Sequence, residues 1–131
     1  MKKEILFTGA LHDKKDERNW EYDHILKGAE TFDWENGYDI EEELGIKIPV
    51  RNQGKTSSCV SFATSTYVWV KNAFEIIKKF GLTIIVKDFL SSHLFSPKSL
   101  YSQVYFREGG SMLSDNMKLV YDWGCAIECD V

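Results

Sequence analysis

The longest uninterrupted pattern in the chain runs from Cys59 to Gly81, and it leaves the rest little freedom. Ala63, Tyr67, Val70, Phe74 and Ile77 recur at helical spacing, with Val60, Val68, Ala73 and Ile76 widening the stripe. Ser57 or Ser58 is suited to the N-cap, where a hydroxyl accepts from the first free N–H groups. Lys78 and Lys79 fall in the last turn, where the helix dipole favours cations, and Gly81 suits the left-handed position after it. About 22 residues at about 1.5 Å each make a rod near 33 Å long, the span of a whole small domain. Such a rod has to be central, with its stripe buried by what surrounds it.

Size and charge restrict the remainder. A chain of 131 residues fits one modest domain, and 44% hydrophobic with 14% aromatic content is enough for a real core. The net charge of −4 and the lack of any Lys/Arg cluster beyond a pair argue against a nucleic-acid partner. No apolar run approaches the roughly 18 to 20 residues of a membrane span, so no membrane partner is expected. Ile5-Leu6-Phe7 falls short of a signal-peptide core of roughly 7 to 15 residues, and the amino terminus reads as mature sequence. Three cysteines make an odd, sparse set, which favours a reducing compartment, and a cytoplasmic location is expected. Cys125-x3-Cys129 lacks the second pair of a zinc ribbon, and His12, His24 and His93 do not cluster with it. Neither a metal nor another cofactor is expected.

The chain divides near Ile46. Residues 1–45 are polar and carry most of the acidic side chains, so they read as an extended amino-terminal arm. Phe32, Trp34, Tyr38 and Ile40 could pin that arm to a core, and Glu41-Glu42-Glu43 reads as a solvated turn. Residues 46–131 read as the folded subdomain. Pro49 holds Ile48 extended, making 46–51 a strand-like lead into the loop before the helix. Leu82-Thr83-Ile84-Ile85-Val86 is rich in β-branched residues and reads as a short strand. Ser96-Pro97 starts a second helix to about 106, burying Leu100 and Val104, with Tyr101 and Tyr105 as further candidates for its inner face. After Gly109-Gly110, Ser111 or Ser114 caps a third helix to Trp123, with Leu113, Met117, Val120 and Tyr121 inward and Gly124 as its stop.

Chemistry concentrates where the loop Gln53-Gly54-Lys55-Thr56-Ser57-Ser58 meets Cys59. A helix start offers orphan N–H groups and the positive end of the dipole, conditions that activate a cysteine as a nucleophile. A buried cysteine acting as a small hydrophobe is the alternative reading of the same residue. Acyl transfer needs a nucleophile and donors aimed at the developing oxyanion. The Cys59 N–H and the Gln53 side-chain amide are candidates for those donors.

Pro49-Val50-Arg51-Asn52-Gln53-Gly54, then Ser58-Cys59 and Ser61-Phe62-Ala63, resembles the papain-like cysteine peptidases, including the six-residue Gln-to-Cys spacing. Leu94-Phe95-Ser96-Pro97-Lys98-Ser99-Leu100-Tyr101 is similar to that family's second-helix entry. Gly109-Gly110 followed by the helix to Trp123-Gly124 is similar to its substrate wall. Gly9-Ala10-x-x-Asp13 and Asp16-Glu17-Arg18-Asn19-Trp20 resemble the leader of some microbial members. The resemblance implies a mainly α (α+β overall) fold: the left-hand, helical half of a papain-like protein built on a long central helix, without its β-rich half. It implies Cys59 as nucleophile and Gln53 in the oxyanion hole. Gly54, Ser57, Ser58, Gly109, Gly110 and Met112 would meet a peptide or protein substrate, with the Gly110 backbone pairing to it by strand addition.

Departures accompany the likeness. Thr56 stands for a frequent cysteine, Ser57 for a glycine and Val60 for a tryptophan. The family's base, a histidine roughly 130 to 150 residues after the nucleophile and oriented by an asparagine, has no counterpart. His93 reads as an ordinary histidine. The expectation is therefore the amino-terminal fragment of a peptidase, inactive alone, whose His and Asn come from a carboxy-terminal half or a partner chain. A non-catalytic module binding a peptide or partner, and a thiol amidase or transpeptidase, are the alternatives.

Overall fold

Five helices and one two-stranded sheet make up the described part of a computed structural model, which covers residues 9–18, 35–107 and 109–128. Ile5–Phe7, Asn19, Trp20, Phe32, Trp34 and Cys129, which the sequence reading used, lie outside the described residues. The chain is mainly helical. In order, β1 (Ala10–Leu11), α1 (Ile40–Leu44), α2 (Cys59–Phe80), α3 (Ile84–Ser92), α4 (Pro97–Val104), β2 (Ser111–Met112) and α5 (Leu113–Trp123) follow one another. The 22-residue α2 is central: α1, α3, α4, α5 and β2 all pack on it.

The buried face of α2 differs from the expected stripe. Val60, Ser61, Thr64, Ser65, Trp69 and Ala73 are buried, whereas Ala63 and Tyr67 are exposed. Small hydroxyl residues can take the inward face because each hydroxyl has a partner. Thr64 Oγ1 donates to the Val60 carbonyl at 2.8 Å, Ser65 Oγ to the Phe62 carbonyl at 2.9 Å, and Ser61 Oγ to Asn116 Oδ1 at 2.7 Å. Further along, packing turns apolar: Trp69 and Ala73 join Leu44, Val86 and Leu90, and Trp69 Nε1 donates to the Leu90 carbonyl at 3.0 Å.

Two segments expected as turn and strand are helices. Glu41-Glu42-Glu43 belongs to α1, because Asp39 Oδ1 accepts from the Glu41 and Glu42 N–H groups. The acids then sit in the first turn, where the dipole favours them. Gly45, left-handed at φ 75°, closes the helix and Leu44 anchors it in the core. Tyr38 and Ile40, expected to pin the arm, are exposed. Residues 84–86 open α3 rather than forming a strand. Thr83 caps it, its hydroxyl accepting from the Val86 N–H at 3.2 Å, and Val86 and Leu90, one turn apart, face the core. Capping and periodic burial thus override β-branched propensity.

Smaller revisions concern the connecting segments. Residues 46–51 pair with no strand among the described residues; the Ile48 N–H donates instead to Glu41 Oε1 at 2.9 Å, and Ile46 and Ile48 lean on the core. The second helix ends at Val104, leaving Tyr105 exposed. In α5, Leu113, Met117 and Tyr121 face outward, and the fully buried residue is Asn116.

Asn116 holds three elements together. Its Oδ1 accepts from Ser61 on α2, while its Nδ2 donates to Ser111 Oγ at 3.0 Å and to the Met112 carbonyl at 2.8 Å. Leucine has similar bulk but cannot serve these partners, and each buried polar group left unpaired costs about 1–3 kcal/mol. Asn116→Leu is expected to lower unfolding free energy by about 2–4 kcal/mol, read as a shift in the urea midpoint.

Candidate functional site

Cys59 is the first residue of α2 and is partly exposed. Ser58 occupies the N-cap but makes no cap bond, since its buried hydroxyl pairs with Thr56 Oγ1 at 2.6 Å. The preceding loop is braced across itself. Gln53 Nε2 donates to the Thr56 carbonyl at 2.5 Å, and Thr56 Oγ1 donates back to the Gln53 carbonyl at 2.8 Å. Asn52 Oδ1 accepts from the Gly54 N–H at 2.7 Å, and Gly54 takes φ 64° to complete the turn. One N–H of the Gln53 amide is therefore engaged by the loop, and offering that N–H to an oxyanion requires exchanging the Thr56 carbonyl for the acyl oxygen.

Arg51 fixes the base of this loop. Its Nη1 donates to the Phe95 carbonyl at 2.7 Å and pairs with Glu128, and its Nη2 donates to Ser65 Oγ at 2.8 Å. The guanidinium also lies 5.7 Å from the Phe62 ring centroid. It thereby links the loop, α2 and the Phe95–Ile127 bridge, where the Ser96 N–H meets the Ala126 carbonyl at 2.7 Å.

The glycine pair stands against the same loop. A Cβ on Gly109 would lie 3.4 Å from Ser57 Oγ, which is ordinary contact. Both main-chain groups of Gly110 are used internally: its N–H donates to Tyr101 Oη at 3.1 Å and its carbonyl accepts from the Phe106 N–H at 3.0 Å. The backbone that pairs with an extended chain is one residue further on, at Ser111. Its N–H donates to the Gly9 carbonyl at 2.8 Å, opening the parallel register Ala10 to Ser111 and Leu11 to Met112.

The arm thus lies where the sequence placed a substrate backbone. A Cβ on Gly9 would come within 2.0 Å of the Ser57 carbonyl, and one on Gly110 within 2.5 Å of the Gly9 carbonyl. Both residues are glycines at positive φ because strand and loop touch there without side chains. Beyond the strand, Asp13 Oδ1 accepts from both the N–H and the hydroxyl of Ser114, at 3.2 and 2.5 Å. Asp13 thereby caps α5 from a distance, replacing the local serine cap the sequence suggested. Met112 lines a cleft of about 830 Å³ that Lys14 to Arg18 of the arm help to wall. Within that wall Asp16 binds Arg18 through both carboxylate oxygens, which holds its carboxyl at about 2.

Ser57, Gly109, Gly110 and Met112 therefore gather around the arm. Gln53, Gly54 and Ser58 instead line a separate cavity of about 520 Å³ with Phe62, Lys98, Tyr101 and Tyr105. His93 ends α3, its Nδ1 close to the Phe89 carbonyl at 2.8 Å and its ring stacked on Phe89. The half-buried Cys125 lies 3.8 Å from the Ser96 carbonyl, and burial pushes its thiol up despite Arg51 nearby. Among the described residues no three His, Cys, Asp or Glu side chains converge as a metal site would require. Sequence reasoning missed Asp13 and Asn116, because both act across long separations that local patterns do not encode. No family model, curated protein or solved structure matches the chain significantly.

Two outcomes follow. Asp13→Ala should cost about 1 kcal/mol and speed amide exchange at Ser114 and Ser111 together, since one carboxylate holds both arm and cap. For Cys125, the stability tied to its neutral thiol is fully present below the ordinary value of about 9 and lost as pH rises through the higher folded value. Cys125→Ala should therefore flatten the alkaline fall of the melting temperature relative to the parent chain.

Proposed function

We propose that the chain is the nucleophile-bearing half of a papain-like cysteine peptidase, acting by acyl transfer to Cys59. The observation that carries this reading is the strand pairing of Gly9–Leu11 with Ser111–Met112, next to the loop that ends at Cys59. An edge beside a helix-start cysteine that already accepts an extended backbone is what a peptide-cleaving thiol requires.

In this reading the Cys59 sulfur attacks the scissile carbonyl, and the Cys59 N–H and the released Gln53 amide receive the oxyanion. Losing one such donor typically costs about 10²–10³ in turnover. Ser57, Gly109 and Met112 flank the bound backbone, and the arm must leave before a substrate can pair with Ser111. The proton has to be taken by a base supplied from outside the described residues, and the isolated chain is expected to show no peptide turnover. An amidase or transpeptidase would use the same thiol and donors, and a binding module the same edge without the chemistry.

Labelling tests the reading without requiring turnover. A peptidyl acyloxymethyl ketone should favour Cys59 over Cys125 by at least about ten-fold more than iodoacetamide does, and Gly9→Val should increase that preference by displacing the arm. Equal preference for the two reagents, before and after displacement, would reduce Cys59 to an ordinary thiol. Robust hydrolysis by the isolated chain, lost in Cys59→Ala, would show that a base is present after all.

A further inference from the structure

The other end of α2 carries a surface that the site does not use. Helix α2 stops at Gly81, and after Leu82 and Thr83 the chain turns into α3, making a helix corner. Phe80, Ile84 and Ile85 are 63%, 79% and 81% exposed there, and Phe89 and Leu82 are exposed beside them. Phe80, Ile85 and Phe89 surround one apolar groove with Ile76 and Val86 at its floor.

Helix stability does not account for these residues. Ile84 and Ile85 occupy the first turn of α3, where the dipole favours acids and none is present. Both are β-branched, which lowers helix propensity, and neither reaches the core that Val86 and Leu90 fill. The charge around them is reversed relative to the molecule. Between Lys71 and Ser92 the chain has four lysines against two acids, whereas its net charge is −4. Lys78, Lys79 and Lys87 are exposed at the corner, and Lys79 Nζ lies 5.4 Å from the Phe80 ring centroid.

We infer that this corner is a peripheral docking surface for an anionic lipid membrane, with Phe80, Ile84 and Ile85 entering the acyl boundary and Lys78, Lys79 and Lys87 meeting the headgroups. Exposed apolar side chains within a lysine rim suit a soft anionic surface, to which the rim supplies the charge match. The attachment is superficial, since no helix among the described residues is long and apolar enough to cross a membrane. It is independent of Cys59 and stands or falls separately from the acyl-transfer reading.

Co-sedimentation of the full chain with vesicles of equal parts phosphatidylcholine and phosphatidylserine tests it. Binding is expected, weakening as salt rises and much reduced on phosphatidylcholine alone. The double variant Ile84→Ser, Ile85→Ser should bind roughly ten-fold or more weakly while keeping its melting temperature, as both side chains face solvent. Lys78→Gln, Lys79→Gln and Lys87→Gln, which leave the apolar corner intact, should each weaken binding roughly five-fold. Failure of the parent chain to sediment, or serine variants that bind as well as it does, would overturn the proposal. Self-association abolished by the serine pair without vesicle binding would also overturn it, assigning the face to a second copy.

Discussion

The first two turns of α2 are buried largely through hydroxyls, with Val60 beside them, and the placement of everything near Cys59 follows from that. Ser61, Thr64 and Ser65 are almost wholly buried, so β2, α4 and α5 meet the helix across small side chains. Such a surface is tolerable only with every oxygen paired, because an unpaired buried hydroxyl costs about as much as a well-made contact gains. Thr64 and Ser65 satisfy themselves on their own helix, whereas Ser61 needs Asn116. That requirement fixes α5, and with it the start of β2, relative to the residue two positions before Ser61.

Farther along the same helix the packing follows other rules. Trp69, Ala73, Leu44, Val86 and Leu90 form an apolar cluster whose energy is insensitive to small rotations. One end of the rod is therefore held mainly by directional bonds and the other mainly by area, with the Trp69 bond to the Leu90 carbonyl added to it. Directional bonds are the better means of keeping a loop, a cysteine and a strand edge in fixed relation, and apolar area the better means of keeping them folded. Arg51 joins the two regimes by connecting Ser65 to the Phe95–Ile127 bridge.

What could be read from the sequence follows the range of the forces involved. The bounds of α2, the Ser96-Pro97 start of α4 and the Gly124 stop of α5 are local matters of periodicity and glycine and were legible, although Ser58 makes no cap bond and Gly81, at ψ 169°, is extended rather than left-handed helical. Ile84 and Ile85 misled because β-branched residues were weighed without Thr83 as a cap. The inward face of α5 misled because apolar spacing points to Leu113, Met117 and Tyr121, while the partner needed by Ser61 is an amide. Around the site, the loop and the glycine pair were recognisable as motifs. Asp13 is 101 residues from the Ser114 it meets and Gly9 is 48 from Ser57, separations over which local patterns carry no signal.

The pairing of β1 with β2 has a consequence for anything that would use the same edge. The strand is covalently part of the chain, so it meets Ser111 intramolecularly, and effective concentrations of such tethered segments are commonly on the order of millimolar. A free peptide at micromolar concentration competes at a disadvantage of roughly a thousand-fold unless it makes contacts that Gly9–Leu11 does not. Those extra contacts have to come from side chains, because Gly9 and Ala10 offer little beyond backbone and Leu11 adds a single apolar side chain. Any ligand for this edge would therefore have to displace the arm by what its side chains add and not by its main chain.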